Sequence, residues 1–592
     1  MIHMQRVLFS LCLTVLLSCQ TQISFATNEL SGTDRKPNVI LIITDDMGYG
    51  DVGINGNTML KTPHLDQLAK QSVRMTDFHV DPTCAETRAA LMTGRYSCRT
   101  GVWHTINGRS ILREDEVTMA DVFESNGYAT AMFGKWHLGD NYPFMPRDRG
   151  FQTTLIHGGG GVTQTPDVWG NDYFDDTYFR NGKLEPQKGY CTDVFFDATM
   201  EFVEEHRDEP FFAYLATNAA HGPYRCPKEF SKPYLDQGVE KTMSSFYGMI
   251  ANIDENVGKL CAKLAELELE KDTILIFMSD NGTARGMLKK DAIKKGIYDW
   301  IGFNGGLSGT KASKLEGGHR VPFFVRWPAG KVEGGKDAGT LTAQFDLLPT
   351  FVDLCDLKMP REVKFDGQSL KEVWLDPDKK TELANRTLVV HSQRVETPEK
   401  WRSSSVMKQN WRLINGKYLY DLESDRAQKK DVAKGHPEVV KELRNSYDAW
   451  WDSVSARFDE YVRIPLGSEA EPNTLLTCHD WHATEGEVPW NQGKIKADLS
   501  SNGFWAVDVK QGGKYQVTLR VRPEGVKYKF KTGEARVKVG EQEQKVAVEE
   551  GQESITLSVD LPLGPTLMQT WINEGDEKVR GAYYVDVEKR SE

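Results

Sequence analysis

The sequence lacks the features that would place it across a membrane or on a nucleic acid. Beyond an apolar run at residues 7–17, no stretch of the 592 residues approaches the roughly 20 apolar residues of a membrane-spanning helix. Acidic residues outnumber basic ones by 85 to 73, so the basic surface that nonspecific nucleic-acid binding needs is missing in bulk. We therefore expect a globular protein with no transmembrane span and no nucleic-acid partner.

Regularly spaced cysteines are also absent. Of the nine cysteines, Cys12 and Cys19 lie in the N-terminal leader, and the odd number that remains leaves at least one thiol unpaired in each monomer. The wide spacing argues against a disulfide framework, and no Cys-x-x-Cys pair indicates zinc. Cys84 is the candidate for a special role.

The first 26 residues have the pattern of an export signal. A positively charged start precedes the apolar run, and small residues lead up to Ala26. We interpret residues 1–26 as a signal peptide and expect an exported protein, periplasmic or extracellular. The alternative is a lipid anchor at Cys19, although Leu17 fits a lipoprotein processing site poorly.

Four short apolar runs each lead into polar residues. Because their apolar residues are continuous and do not alternate, we predict strands buried on both faces. Helical patterns lie between them, for instance at residues 246–267, so the sequence predicts an α/β domain with a mostly parallel sheet. The runs are 39–43 before Asp45 and Asp46, 129–133 before Lys135 and His137, 211–215 before Asn218 and His221, and 274–278 before Asp280 and Asn281.

The ends of these strands predict a cation site. Ligands of open α/β sheets bind beyond the carboxyl ends of the strands, where sequence-distant side chains meet. Asp45, Asp46, Asp280 and Asn281 offer oxygen ligands, which suit calcium or magnesium better than zinc. Ordinary strand-end turns are the competing interpretation, since Asp and Asn favour turns.

Several longer motifs follow one another in a family-like order. They are the segment 37–51, Cys84-Ala85-Glu86-Thr87-Arg88 with the following 91–95, the segment 127–139 that contains Gly134-Lys135-Trp136-His137-Leu138-Gly139, and the shorter motifs at 218–221, 279–282, 311–322, 346–350 and 366–370. Through these motifs the chain resembles the formylglycine-dependent sulfatases, arylsulfatase-like members of the alkaline-phosphatase-like superfamily. The resemblance extends from Pro37 to about Val454.

This resemblance implies an alkaline-phosphatase-like fold, a doubly wound and mostly parallel sheet over residues 34–344 with a smaller C-terminal α+β subdomain over 345–455. Within the subdomain, the spacing of apolar residues at 438–454 predicts a helix. Beyond it, alternating segments such as 515–521 and 582–587 predict an appended antiparallel β-sandwich over 456–592. We expect the sandwich to pack against the catalytic domain, with carbohydrate binding as the alternative.

The resemblance also implies a function, the hydrolysis of a sulfated carbohydrate or aryl sulfate. Cys84 would be oxidised to formylglycine by a formylglycine-generating or equivalent maturation enzyme, and one hydroxyl of the hydrated aldehyde would attack sulfur. One Ca²⁺ per chain would be held by Asp45, Asp46, Asp280 and Asn281. The catalytic roles are implied for Arg88 and Lys135, which would hold the hydrate, for His221 with Lys311, which would protonate the leaving alcohol, and for His137, which would take the second hydroxyl's proton so that sulfate is expelled.

The chain departs from the family pattern at Glu86, where the family has proline. Proline pre-shapes the extended peptide that the maturation enzyme reads, and an unmodified thiol cannot release sulfate. A non-catalytic pseudoenzyme that binds sulfated glycans is therefore one alternative. A phosphate or phosphonate ester hydrolase of the same fold is another, although the motif Gly134 to Gly139 favours sulfate.

Two further segments have a less specific pattern. Trp169, Asn171 and Asp172 follow a glycine-rich stretch and have the composition of either a sugar-contacting loop or an exposed loop. The dense motif 478–482, Cys-His-Asp-Trp-His, has no distant partner motif, so we interpret it as structural. His319 is interpreted in the same way.

Overall fold

The computed structural model describes residues 36–296, 298–575 and 579–590, apart from the side chains of residues 291 and 292. The predicted signal peptide 1–26 and the alternative anchor site Cys19 lie outside these residues. Among the described helices, none combines the length and the apolar character that crossing a membrane requires.

A ten-stranded mixed sheet organises the first part of the chain, in the order β11-β2-β10-β9-β1-β8-β4-β5-β6-β7. Its five central strands, β9 to β5 in this order, run parallel, and antiparallel strands extend both edges. A separate parallel pair joins β3 to β12. Strands β1–β12 span Asn38–Thr44, Val73–Met75, Phe78–His79, Ala129–Gly134, Thr153–Ile156, Thr177–Arg180, Lys183–Pro186, Phe211–Ala216, Thr273–Ser279, Phe323–Arg326, Lys336–Ala338 and Thr342–Ala343.

The central strands are buried on both faces, which confirms the prediction from their continuous apolar runs. Every residue of β1, β4, β8 and β9 is buried. Along β1, alternate side chains enter two different cores: Val39 and Leu41 belong to one, and Ile40 and Ile42 to the other. Side chains of the helices complete both cores, so the sheet is covered on both faces.

The helices of the described chain are α1 to α12, and the sheet is covered by several of them. Side chains of α1, α4 and α6 contribute to the core on one face, and side chains of α2, α3 and α9 to the core on the other. The bounds of α1–α12 are Pro63–Lys70, Cys84–Thr93, Met119–Ser125, Cys191–Glu205, Lys228–Asp236, Lys241–Glu266, Lys290–Lys294, Glu316–His319, Leu347–Leu354, Lys371–Leu375, Pro437–Val454 and Gln492–Lys496.

A second, four-stranded antiparallel sheet follows, and α11 packs on it. Strands β13–β16 span Leu388–His391, Ser404–Lys408, Trp411–Ile414 and Tyr418–Asp421. Leu443 and Tyr447 of α11 are buried in one cluster with Val406 and Leu413 of this sheet. The helix predicted at 438–454 from its apolar spacing is thereby confirmed.

The C-terminal part forms two further sheets that share one core. Their strands β17–β27 span Ile464–Leu466, Asn473–Thr477, His482–Glu485, Asn502–Val509, Gly513–Arg520, Gly533–Val539, Gln542–Val548, Ile555–Leu561, Gly564–Asn573, Val579–Arg580 and Tyr584–Lys589. One sheet has the path β17-β20-β25-β22-β23, with β19 and β26 attached, and the other the order β18-β27-β21-β24. Apart from the parallel pair β17 and β20, the pairings are antiparallel. Because Val507 of one sheet and Val517 of the other belong to one cluster, the arrangement is a β-sandwich, here called the C-terminal β domain (residues 464–590).

The C-terminal β domain is docked on the rest of the protein by hydrophobic contacts. Its core cluster includes Ile111 and Phe144, which lie far earlier in the chain, and Ile106 packs against the same cluster. From Pro37 onward the described residues form one compact unit, so the expected packing on the catalytic domain is found. The exact domain boundaries remain a prediction. Within the described ranges, none of the cysteines forms a disulfide.

Acidification should destabilise this fold through His391 at the end of β13. The imidazole is buried, its Nδ1 lies 3.1 Å from the Gln393 amide nitrogen, and burial lowers its pKa to about 4. Because the pKa of His391 is lower in the folded protein than in the unfolded chain, where it is near 6.5, this histidine stabilises the fold at pH values above about 6.5. That stabilisation is lost as the pH falls from about 6.5 toward 4. Between pH 7 and pH 4 the loss from this one group should be about 3 kcal/mol.

Urea denaturation of the wild type and of His391→Gln over this pH range measures the effect. The variant keeps an acceptor for Gln393 but cannot titrate, so its free energy of unfolding should fall less steeply with acid. His64→Gln, at an exposed position, is the control and should keep the wild-type slope. Equal slopes for the wild type and His391→Gln would contradict the assignment.

Candidate active site

The carboxyl ends of the central strands carry the predicted site. Thr44 of β1 is in register with Ser279 of β9, and Gly134 of β4 and Ile43 of β1 are both in register with Ala216 of β8. The residues that follow these strands therefore meet at one edge of the sheet, as the sequence pattern predicted. All the predicted catalytic and metal-binding residues lie in this region.

Three carboxylates and an amide form the centre of the site. Asp45, Asp46, Asp280 and Asn281 are all buried, and Asp46 has a left-handed backbone with φ of 60°, which Asp tolerates better than most residues. Asn281 Nδ2 donates to Asp46 Oδ1 over 2.8 Å, and Asp46 N donates to Asp280 Oδ1 over 3.2 Å. Hydrogen bonds thus join Asp46 to both Asp280 and Asn281, while Asp45 is held by Lys135.

Two oxygen atoms of this cluster are buried without a hydrogen-bond partner among the described residues, Asp45 Oδ1 and Asn281 Oδ1. Burial, and then the charge of Asp280, raise the pKa of Asp45 to about 8. A bound cation would satisfy both orphaned acceptors and would favour the ionised carboxylate. The residues present therefore fit a metal with oxygen ligands.

Three cationic side chains face the carboxylates, of which Arg88 and Lys135 are buried and Lys311 is partly exposed. Lys135 Nζ lies 2.6 Å from Asp45 Oδ2, and Lys311 Nζ lies 2.5 Å from Asp46 Oδ1. The Arg88 guanidinium donates through Nε and Nη2 to Asp280 Oδ2, over 3.1 and 2.8 Å. Burial is the largest effect and lowers the pKa of Lys135, but the acidic groups around it, Asp45 foremost, together raise it above its usual value, so that the ammonium keeps its charge.

Cys84 is the first residue of α2. Its position at the helix N-terminus directs free backbone N–H groups toward the site, and such groups attract anions. Its Sγ, a carboxylate oxygen of Asp45 and one of Asp280 all lie within 4.8 Å of one another. Burial raises the pKa of the thiol, so the unmodified side chain is protonated and a weak nucleophile.

His137 presents its unprotonated nitrogen to residue 84. Nε2 lies 2.8 Å from the carbonyl oxygen of Thr105, and because a carbonyl only accepts, Nε2 carries the proton. Nδ1 is then the free acceptor, 3.3 Å from Cys84 Sγ. Burial, followed by the charge of Lys135, lowers the pKa of His137 well below its usual range, so the ring is a neutral base.

His221 and Lys311 lie together on the side of Asp46. His221 Nδ1 donates to the carbonyl oxygen of Gly222 over 2.7 Å, which leaves Nε2 free to face Asp46 Oδ2 at 3.9 Å. Burial and the charge of Lys311 lower the pKa of His221 to about 3. Burial lowers and Asp46 raises the pKa of Lys311, with a net rise, so Lys311 carries the positive charge at this side.

A cavity of about 160 Å³ opens above these groups. Cys84, His137, His221 and Lys311 line it, as expected for the reacting end of a substrate pocket. Its other walls were missed by the sequence analysis, because they come from loops and from the C-terminal β domain without a motif of their own. They are Thr83, Thr105, Ile106, Gln164, Arg394 and Trp490.

His479, in the segment 478–482 that the sequence analysis interpreted as structural, lies beside His137. Its ring centroid is 6.0 Å from that of His137, and its Nε2 lies 3.2 Å from Gln164 Oε1. His479 is one of the groups that lower the pKa of His137. The sequence of segment 478–482 shows a cluster of aromatic, histidine and carboxylate side chains. Only the tertiary structure shows that His479 in this cluster contacts Gln164 and lies near His137. His319, by contrast, contacts His79 with a 2.9 Å nitrogen separation and has no part in the cavity.

Glu86 occupies the first turn of α2 and is buried. Neither of its carboxylate oxygens has a hydrogen-bond partner among the described residues, and burial raises its pKa. The first turn of a helix accepts proline, since the missing N–H needs no partner there, and it also favours acidic side chains because of the helix dipole. The departure at Glu86 is therefore compatible with the folded helix.

Comparisons with known proteins agree with this geometry. A model of the sulfatase family matches residues 37–357, more than half of the chain. The chain belongs to the sulfatase family. It is 30% identical over 393 residues to arylsulfatase G of Mus musculus, an alignment that covers 61% of this chain and 72% of the relative. For N-acetylgalactosamine-6-sulfatase of Rattus norvegicus the identity is 29% over 363 residues, with 57% and 66% covered.

A bacterial relative is covered more completely than these mammalian proteins. N-acetylgalactosamine-6-O-sulfatase of Bacteroides thetaiotaomicron is 28% identical over 493 residues, which are 69% of this chain and 92% of that protein. Among solved structures, the crystal structure of Ps i-CgsB has a TM-score of 0.63 at 28% identity and covers 72% of this chain and 95% of its own. The resemblance and the alkaline-phosphatase-like fold are thus confirmed, and the protein is a sulfatase.

The position of His137 depends on a glycine that faces it. A Cβ added at Gly160 would lie 2.2 Å from two atoms of the His137 ring, too close for the ring to stay in place. Gly160→Ala in this sulfatase should lower the turnover of an aryl sulfate about 100-fold, because a displacement near 1 Å costs that much in an active site. Initial rates are compared at equal metal content and equal modification of residue 84.

Gly435→Ala is the matched control, since nothing lies within 4 Å of a Cβ added there. Thermal melting shows whether either variant has lost its fold. A folded Gly160→Ala protein as active as the control would contradict the assigned position of His137.

Proposed function

We propose that this sulfatase removes a sulfate group from a carbohydrate, with a formylglycine formed from Cys84 as its nucleophile. The observation that carries the proposal is the convergence on residue 84: the buried carboxylates of Asp45 and Asp280 lie beside it, and the neutral Nδ1 of His137 faces it at 3.3 Å. Hydrated formylglycine supplies two hydroxyls on one carbon, of which one can attack sulfur.

The cationic groups bind and orient the sulfate. Lys135 and Arg88 lie behind residue 84 and are held by Asp45 and Asp280, so their positive charge is fixed before substrate binds. Lys311 lines the catalytic cavity, next to Cys84 and His221. These charges make a local anion site within a protein of net charge −12, which otherwise repels anions.

Two histidines move the protons. His137 Nδ1 accepts a proton from the group on residue 84, which its neutral state and its orientation allow. His221 supplies the proton to the leaving alcohol oxygen, with Lys311 beside it. The pKa of His221 is lowered to about 3 in the free protein, but a bound sulfate ester adds a negative charge nearby and so favours the imidazolium.

The metal is proposed to be one Ca²⁺ per chain, held by Asp45, Asp46, Asp280 and Asn281. When bound, it supplies positive charge that stabilises sulfate oxygens and lowers the pKa of a hydroxyl. The four proposed ligands offer oxygen atoms, and those of Asp45 and Asn281 include two that have no hydrogen-bond partner among the described residues. The soft atom near them is Cys84 Sγ, which the proposal assigns to the nucleophile. An oxygen ligand set favours calcium over zinc.

The carbohydrate substrate is proposed from the relatives. Two of them are named as N-acetylgalactosamine-6-sulfatases, and Ps i-CgsB was crystallised with k-i-k-neocarrahexaose, a complex with a TM-score of 0.62 and 27% identity to this chain. An aryl sulfate is the simpler substrate for an assay. Export through the signal peptide 1–26 and a formylglycine-generating or equivalent maturation enzyme as a partner complete the proposal.

The test is a paired assay of aryl sulfate and aryl phosphate with purified, calcium-loaded protein. The sulfate ester should be hydrolysed faster than the phosphate ester, given the sulfatase motifs around Lys135 and His137. Asp280→Ala removes a metal ligand and the partner of Arg88, so metal content and turnover should fall together, by about 1,000-fold in turnover. Asp353→Ala, which removes an exposed ion pair with Lys371 and an exposed hydrogen bond from Ser369, is the control and should change neither.

Two results would count against the proposal. Faster hydrolysis of the phosphate ester would favour a phosphate or phosphonate hydrolase. One zinc per chain by elemental analysis, in place of calcium, would refute the metal assignment.

A further inference from the structure

Two cavities meet at the active site, and they share three lining residues. The catalytic cavity described above holds about 160 Å³, and an outer cavity beside it holds about 610 Å³. Gln164, His221 and Trp490 line both. A substrate that fills the catalytic cavity can therefore continue into the outer one past Trp490.

Trp490 comes from the C-terminal β domain, in the segment between β19 and α12. The segment pairs with a loop of the catalytic domain through backbone hydrogen bonds, from Thr165 N to Trp490 O over 3.0 Å and from Gln492 N to Thr163 O over 2.9 Å. The buried side chain of Gln492 adds a bond in which its Oε1 accepts from Gly170 N over 3.0 Å. The wall between the cavities is thus built from both domains.

This wall is held rigidly. Trp490 and Ile106 pack against the core cluster of the C-terminal β domain, and Phe144 of the catalytic domain lies inside that cluster. Thr165 is fixed a second time, because its Oγ1 donates to Pro489 O over 2.5 Å. A side chain on such a support keeps its orientation when a ligand binds, which lowers the entropic cost of binding.

The outer cavity has the chemistry of a sugar subsite. Trp490 and Tyr224 supply aromatic surface, which stacks on the C–H face of a pyranose ring. Asp172 and Arg225 form an ion pair at the cavity with both side chains about half exposed, so their polar atoms can also bind hydroxyls. Lys496 lines the same cavity and has no ion-pair partner among the described residues, although its Nζ lies 5.0 Å from the Trp169 ring.

We propose that the outer cavity binds the sugar linked to the sulfated one, with Trp490 as the stacking surface and Lys496 as the partner of an acidic group on that second sugar. The C-terminal β domain is then part of the substrate site. This inference rests on the proposed function, since the catalytic cavity has to hold the sulfate ester. It also assigns Asn171 and Asp172, whose role the sequence left open, to the outer cavity.

Kinetics with matched substrates test the proposal. The probes are N-acetylgalactosamine 6-sulfate and the uronate-containing disaccharide of chondroitin 6-sulfate, with a carrageenan-derived sulfated mono- and disaccharide as the second pair. The wild type should have a lower KM for the disaccharide of the pair that it accepts. Trp490→Ala should raise the KM for the disaccharide about ten-fold, with a smaller change for the monosaccharide, and Trp490→Phe should restore most of the difference.

Trp571→Ala is the matched control, since Trp571 lies in the C-terminal β domain with Arg536 stacked on its ring and lines neither cavity. Its KM values should equal those of the wild type. Lys496→Gln should raise the KM only for the disaccharide that carries an acidic group on its second sugar. Equal changes for monosaccharide and disaccharide in Trp490→Ala, or no change in either, would overturn the proposal.

Binding measurements separate this inference from the proposed function. Isothermal calorimetry measures the binding of monosaccharide and disaccharide without turnover. It compares Cys84→Ser with the double variant Cys84→Ser, Trp490→Ala. If the wild type hydrolyses no sulfate ester, the proposed function has failed, but tighter binding of a disaccharide that depends on Trp490 still supports the subsite. Disaccharide binding that is absent, or that Trp490→Ala does not weaken, overturns it.

Discussion

The active site depends on the neutralisation of three buried carboxylates by neighbouring cationic side chains in place of water. Asp45, Asp46 and Asp280 are buried where the parallel strands end, and burying a carboxylate costs several kcal/mol unless a partner offsets the loss of hydration. Lys135, Lys311 and Arg88 each take one carboxylate. The same pairs that make the fold possible also fix the cations that bind an anionic substrate.

The neighbouring histidines are tuned by this arrangement. His137 and His221 lie beside fixed positive charges in a buried site, which disfavours the imidazolium and leaves both rings neutral before substrate arrives. Each has one nitrogen committed to a backbone carbonyl, Thr105 O for His137 and Gly222 O for His221. The other ring nitrogen of each histidine is free of the backbone. The backbone carbonyls therefore set the tautomer of both rings, and the neighbouring positive charges set their pKa values.

The sequence predicts the central sheet and the polar side chains that meet at its carboxyl edge, since both follow from one physical pattern. A strand covered on both faces has to be continuously apolar, as at residues 39–43, and its polar residues then collect at the carboxyl end. Trp490, Gln164 and Arg394 could not be predicted, because they belong to irregular segments whose position depends on tertiary packing. His479 shows the same limit: its motif was visible, but its neighbour His137 lies more than 300 residues earlier in the chain.

The central claim is that Cys84 becomes formylglycine in spite of Glu86, and mass spectrometry of the peptide containing residue 84 tests it most directly. The protein should be isolated from its native host, because a heterologous host can lack a suitable maturation enzyme. We expect an aldehyde or its hydrate at residue 84, at less than full occupancy, with Glu86→Pro raising the modified fraction while turnover per modified site stays the same. A peptide that contains only the thiol, from protein that still binds sulfated glycans, would contradict the enzymatic account and identify a non-catalytic binding protein.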